Sequence, residues 1–240
     1  AIFFPSNEEK IPLLVGLIRE VINSKTMVFI NTKKEIEKVE AYLQENDIVL
    51  TFDEMQAGFA RTGKGFGYQH YDVNPDLICC GKGMGNGYPL SGVIGRGEIM
   101  DLPEVGNMSS THSANPMACA VGLAVIEEIE SLNLIEESKR KGNILKDKLS
   151  QLKERSEGRI SHILGEGLIS AILFQDPKTG EPDGLTASMV AEKCYEKGLL
   201  VVHTGRESIK LGPPLTISDE ALMEGLDVIC EAFNEAIESK

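Results

Sequence analysis

No run of apolar residues in this chain approaches the roughly 20 that cross a bilayer. The longest, such as Leu13 to Ile18 and Leu199 to Val202, are far shorter, so no transmembrane helix is expected. Basic residues are scarce: 24 Lys and Arg stand against 37 Asp and Glu, a formal net charge of −13. Such a field repels phosphate backbones, and unaided nucleic-acid binding is disfavoured. Cysteine is sparse, with five residues and no C-x-x-C pair. Neither a disulfide framework nor a zinc knuckle is expected, and a reducing cytoplasm is the natural compartment. The four histidines, His70, His112, His162 and His203, lack metal-ligand spacing, so no metal site is expected. Glu8, Glu9 and Lys10 interrupt any secretory-signal pattern at the start. What remains is ordinary globular composition over 240 residues, 42% hydrophobic and 25% charged, enough for one large or two small domains.

Hydrophobic periodicity predicts a helix from Asn7 through Val21, a short strand over Met27 to Ile30, a helix from Lys33 to Asn46 and a buried strand from Ile48 to Phe52. This α-β-α-β order predicts a parallel sheet. A glycine-rich stretch follows, with a second apolar run, Leu77 to Cys80, inside it; glycine at this density marks backbone that turns tightly or approaches a ligand. Cys79 and Cys80 fit a buried strand better than a redox pair. Helices are predicted over Pro116 to Glu130 and Glu136 to Glu154. Beyond them, strands at Gly167 to Phe174, Leu199 to His203 and Ile209 to Leu211 alternate with helices at Thr186 to Lys197 and Ser218 to Glu238. The fold class is thus α/β, mainly a parallel sheet flanked by helices, followed by a smaller α+β domain. The expected divisions are 1–48, 49–130 and 131–240.

Three segments carry chemistry. Thr51-Phe52-Asp53-Glu54-Met55-Gln56 places acids at the C-terminal end of a strand, where open α/β sheets bind ligands. Cys80-Gly81-Lys82-Gly83 sets a lysine between glycines on the turn after the next strand, and Ser110-Thr111-His112-Ser113-Ala114-Asn115-Pro116 is a hydroxyl-rich turn into a helix. Each is weak alone: Asp53 with Glu54 reads equally as a helix cap or metal ligand, Lys82 as a solvated loop charge, Gln56 as a structural hydrogen-bonder and Thr111 as a cap. In this order, with 29 residues from Asp53 to Lys82 and 29 from Lys82 to Thr111, they are specific.

Together they resemble the class III (ornithine and 4-aminobutyrate type) aminotransferases, pyridoxal-phosphate enzymes of fold type I. The resemblance runs from about Leu50 to the C-terminus and includes Ile209-Lys210-Leu211-Gly212-Pro213-Pro214-Leu215, similar to the family's substrate-carboxylate segment. It implies that Lys82 forms the Schiff base with pyridoxal 5′-phosphate and shuttles the substrate proton. Asp53 would face the pyridine nitrogen, Gln56 the ring oxygen, and Thr111 the phosphate across a homodimer interface. Lys210 would meet the substrate carboxylate, although the family usually has arginine there. The implied partners are an amino donor and a 2-oxo acid.

Residues 1–48, with Phe4-Pro5-Ser6-Asn7 and Thr26-Met27-Val28-Phe29-Ile30-Asn31-Thr32, instead look like the opening of the second RecA-like domain of a DEAD-box RNA helicase. That implies a chimera joined near Asp47 to Leu50 and lacking the family's N-terminal half. The helicase's phosphate loop, acidic magnesium motif and arginine finger have no counterpart, so a helicase-derived RNA-binding module is the weakest reading. A non-catalytic α/β scaffold is the main alternative to an aminotransferase. Two decoys are rejected. Gly58 to Gly65 reads G-x-x-x-x-G-K-G with glycine where a P-loop needs Ser or Thr, and Asn86 breaks the dinucleotide pattern after Gly81.

Overall fold

The computed structural model describes residues 33–45, 47–108 and 110–238. The predicted helix from Asn7, the strand at Met27 to Ile30 and most of the helicase-like segment lie outside the described residues. The chain forms two compact units that interleave along the sequence. The first takes the described residues up to Glu54, with Tyr68–Cys80 and Ser91–Ser113; the second takes Met55–Gly67, Gly81–Leu90 and 114 onward. Residues 55–67 and 81–90, expected with the 49–130 segment, thus cluster with the C-terminal part.

In the first unit, helix α1 (Lys33–Glu45) turns Val39 and Leu43, four residues apart, into buried positions. Strand β1 (Thr51–Asp53) pairs in parallel with β2 (Leu77–Cys80), matching Thr51 to Leu77 and Asp53 to Cys79. Its direction agrees with the mainly parallel sheet expected, while the other strand of the α-β-α-β order, Met27 to Ile30, lies outside the described residues. The sheet order is β1-β2-β3, and β3 (Gly92–Gly95), a strand that was not predicted, runs antiparallel to β2. Its four residues begin and end in glycine and leave Val93 and Ile94 exposed, so no strand signal rises above the turn signal. β1 is also shorter than the predicted 48–52 strand and is not buried: Thr51 and Asp53 are exposed. Before it, Leu50 donates its N–H to Asp76 Oδ2 at 2.8 Å, and the other oxygen of Asp76 takes Arg96 at 2.7 Å. The short helix α2 (Gly97–Met100) follows.

The second unit is built on helices α3 (Pro116–Ser131) and α4 (Leu134–Arg155) and an antiparallel sheet of order β4-β5-β7-β6. Its strands are β4 (Ile160–Glu166), β5 (Ile169–Phe174), β6 (Val202–His203) and β7 (Ser208–Leu211), with α5 (Gly184–Glu196) and α6 (Asp219–Glu238) between and after them. Asn115 caps α3 by accepting Met117 N–H at 2.9 Å, with Pro116 in the first turn. Asp183 caps α5 through Thr186, and Ser218 Oγ accepts Ala221 N–H at the head of α6. β5 alternates cleanly, with Ser170, Ile172 and Phe174 buried on one face. β4 was not predicted: its Ile-Ser-His-Ile-Leu-Gly-Glu run mixes polar groups and carries an irregularity between Ile160 and His162.

The main core lies between this sheet and helices α4, α5 and α6. Leu149, Ile172, Val190 and Ile209 are fully buried there, with Phe174 stacked on Phe233 at 6.2 Å between ring centres. Each such aliphatic side chain contributes about 2 kcal/mol by leaving water.

The β4–β5 turn meets the 61–63 backbone. Gly167, at φ +59°, opens a two-residue hairpin loop, a position that favours glycine. A Cβ there would lie 2.4 Å from the Thr62 carbonyl carbon, and one on Gly142 of α4 would lie 2.5 Å from Gly167 Cα. Gly167→Ala is therefore expected to cost about 2–3 kcal/mol, read as a lower thermal unfolding midpoint. Gly225→Ala, inside α6 with only Leu199 Cδ1 in ordinary contact at 3.5 Å, should instead leave the midpoint unchanged or raise it, by up to about 1 kcal/mol of helix propensity.

Candidate active site

The segment after β1 turns sharply. Phe59 and Ala60 both have positive φ, at 56° and 68°, although neither is glycine. Each such residue costs about 1–2 kcal/mol in a left-handed conformation, so surrounding packing must hold it. Ala60 is fully buried against Ile129 and Leu134, and Phe59 meets Phe66 edge to face at 5.7 Å. The Ala60 carbonyl accepts the N–H of Gly63 at 3.0 Å, closing the turn.

Lys82 repeats the pattern. It opens a short 3₁₀ turn, Lys82–Met84, directly after β2, with φ +46°. Its own carbonyl accepts Gly85 N–H at 3.1 Å, while Gly81 O takes Met84 N–H at 3.0 Å. A lysine forced into this conformation carries strain, and strain of this kind concentrates at functional sites.

Within the second unit, Lys82 lines a cavity of about 660 Å³ together with Gln56, Arg61, Glu128 and Lys210. Three cations thus share its wall with one carboxylate, a lining suited to an anion. Lys210, on β7 opposite Ala171 of β5, donates its Nζ to Gln56 Oε1 at 3.4 Å. The cavity therefore brings together Lys82, Gln56 and Lys210 of the residues singled out from sequence. Its size and donors fit a small anionic organic cofactor bearing an aldehyde: an amine to condense with it, an amide beside the ring and cations for its charge.

Asp53 and Thr111 belong to the first unit. Asp53 ends β1 and is exposed, whereas its neighbour Glu54 is buried and accepts Tyr68 N–H at 2.6 Å. Phe52 packs edge to face on Tyr68, so the strand end is anchored on either side of Asp53. Thr111 is exposed and does not cap α3, a role that Asn115 fills. No group of three or more metal-ligating side chains occurs among the described residues.

Arg61 was not assigned a role from sequence. The only hint is compositional: no acid occurs between Glu54 and Asp72, so an arginine there must find a distant partner. Its guanidinium donates to the carbonyl oxygens of Leu168, at 3.1 Å, and of Pro213. Burial pulls its pKa below the ordinary arginine value.

With this geometry in view, comparison with known proteins gives the family. The aminotransferase class-III family model matches residues 6–233. A 4-aminobutyrate aminotransferase of Mycobacterium bovis is 37% identical over 222 residues, 90% of this chain and 49% of that one. A leucine/methionine racemase of Thermococcus litoralis is 36% identical over 229 residues, covering 95% and 51%. Among solved structures, a transaminase from the marine bacterium Virgibacillus superposes with a TM-score of 0.86 at 27% identity, over 97% of this chain and 58% of that one. The chain belongs to the class III aminotransferases, a pyridoxal-phosphate family, and carries part of the fold type I architecture. It spans about half the length of the curated relatives it matches. The family model runs across residues 47–50 and through most of the stretch that resembles a helicase, so the comparisons lend no support to a helicase-derived segment or a chimeric junction.

The end of β2 leads directly into Lys82, and its burial is open to test. Cys80 is fully buried, and its thiol pKa is raised by that burial, then by the charge of Glu54 and by Cys79. Burial pushes Cys194 up to about 11. Exposed Cys119 should therefore react first with iodoacetamide at pH 8, with Cys80 and Cys194 protected until the fold is lost, as read by peptide mass spectrometry.

Proposed function

We propose that this chain carries the lysine-bearing part of a pyridoxal-phosphate-dependent aminotransferase that moves an amino group from an amino donor to a 2-oxo acid. The observation that supports it most is the cavity shared by Lys82, Gln56 and Lys210, reached by backbone held in strained conformations on two separate turns. When bound, the cofactor supplies an aldehyde carbon and an electron-withdrawing pyridinium ring.

The chain's own residues divide the remaining work. Lys82 Nζ would hold the cofactor through its aldehyde and, when free, would serve as the base that accepts and returns the substrate Cα proton. An amine acts in this way only when unprotonated. By the family resemblance Asp53, at the end of the strand paired with β2, would hold the proton on the pyridine nitrogen through its negative charge. Gln56 would lie beside the ring oxygen. Lys210 binds the substrate carboxylate as a single point charge, without the two-pronged grip of arginine.

Thr111 would donate to the cofactor phosphate from a partner subunit of a homodimer. Exposed apolar residues on α3, Met117, Leu123 and Ile126, support such an assembly, and sedimentation equilibrium reads it directly. A reducing, cytoplasmic setting accords with five free cysteines. Among the described residues no helix is long and apolar enough to cross a membrane.

Borohydride reduction after incubation with pyridoxal phosphate should leave a mass adduct on Lys82. The visible absorbance of the complex should vanish in Lys82→Ala. No absorbance and no adduct in the native chain would establish the non-catalytic scaffold instead. The racemase relative raises a second reading on the same proton chemistry. Loss of Cα deuterium from a labelled amino acid without appearance of a 2-oxo acid would favour racemisation over transfer.

A further inference from the structure

We propose that Arg61 is a positioning residue for Lys210, holding the exit of β7 against the segment that carries Gln56. The inference rests on the reading of Lys210 as the substrate-carboxylate contact, and it names what places that contact.

Arg61 is tied at both ends of its own length. Its backbone carbonyl accepts Leu168 N–H at 2.9 Å and Ser138 Oγ at 3.0 Å. Its guanidinium reaches back to the carbonyls of Leu168 and Pro213. Leu168 immediately precedes β5, and Pro213 lies two residues beyond the end of β7. Lys210 sits on β7 between these two points, paired with Ala171 of β5. Five residues before Arg61 stands Gln56, whose side-chain oxygen takes the Lys210 ammonium. One guanidinium thus joins the strand that bears Lys210 to the turn that bears its partner.

Two further observations make this more than packing. Both acceptors of the guanidinium are neutral main-chain oxygens, and no carboxylate of the described residues pairs with it. A half-buried cation kept without a counter-charge is poorly explained by stability alone, since an apolar side chain of similar length would avoid its desolvation. Lysine in place of the family's arginine also sharpens the need. An ammonium on a four-carbon stem makes one flexible contact, so the angle at which it meets a carboxylate depends on the strand beneath it.

The test compares the full chain with Arg61→Met, Arg61→Lys, Lys210→Met and the double variant Arg61→Met/Lys210→Met. Hydrogen exchange without cofactor comes first. In Arg61→Met, exchange across residues 208–217 should rise about 10-fold while α4 and α6 keep their protection, with Arg61→Lys intermediate. Unchanged exchange at 208–217, or equal loss everywhere, overturns the proposal. Next, the chain saturated with pyridoxal phosphate is titrated with 4-aminobutyrate and with butylamine, which lacks the carboxylate. Arg61→Met and Lys210→Met should each weaken the absorbance response to 4-aminobutyrate about 10-fold and spare that to butylamine, and the double variant should be no worse than either. Equal weakening toward both amines, or additive losses, overturns it. A native chain that shows no absorbance with pyridoxal phosphate defeats the proposed function alone, and the exchange result then decides the role of Arg61. Should Arg61→Met fail to fold by circular dichroism, Arg61→Lys carries both measurements.

Discussion

Backbone meets backbone where the Arg61–Gly63 turn, the β4–β5 loop and helix α4 converge, and little else about the cavity would hold without that contact. Gly142 and Gly167 have no side chains because none would fit: a Cβ on either falls within 2.6 Å of another main-chain atom. Gly63 is pressed in the same way, its absent Cβ 2.9 Å from Lys139 Cβ. Main-chain atoms cannot repack as side chains do, so the three segments have little room to shift against each other. The cavity wall formed by Gln56, Phe59 and Arg61 inherits that constraint.

The same wall stores conformational strain. Phe59, Ala60 and Lys82 all occupy the left-handed region, which an L side chain enters at a cost. Ala60 is held by burial, and the turn carrying Lys82 is closed by its own hydrogen bonds. A lysine whose main chain is set this way points its stem from a defined origin. Its amine then needs fewer rotamer restrictions to reach a fixed target, which is the advantage of building a nucleophile on a short turn after a strand.

Much of this was legible from residues alone, and the limits were physical. Helices α3 to α6 were read to within a few residues, because each buries one face at regular spacing and three carry a capping Asn, Asp or Ser. Both β1 and β2 were read as short apolar runs, and their parallel direction agrees with the expected sheet although only a 3₁₀ turn, Gly67–His70, lies between them. Strands β3 and β4 escaped, the first for its glycines and exposed residues, the second for its polar content. The constellation of Asp53, Lys82 and Thr111 pointed to the family, yet spacing could not show that Asp53 is exposed while Glu54 is buried. That difference depends on which acid finds the Tyr68 amide. Arg61 was invisible as a functional candidate because both its acceptors are main-chain oxygens more than 100 residues away, and backbone leaves no trace in side-chain pattern. The helicase likeness of the first 48 residues found no support in the comparisons, and a helix and strand of ordinary length look much alike in unrelated α/β proteins.

The interleaving of the two units has a consequence for anyone who would divide this protein. Two loops, 55–67 and 81–90, leave one unit's stretch of sequence to complete the other. Expression of residues 114–238 as a separate fragment would omit both, and with them the residue that fills the space beside Ile129 and the backbone that Gly167 rests on. Complementation between fragments, or rearrangement of the gene by circular permutation, would have to keep each loop attached to flanking strands that belong elsewhere, so cuts that spare both units fall outside the span from Thr51 to Gly95.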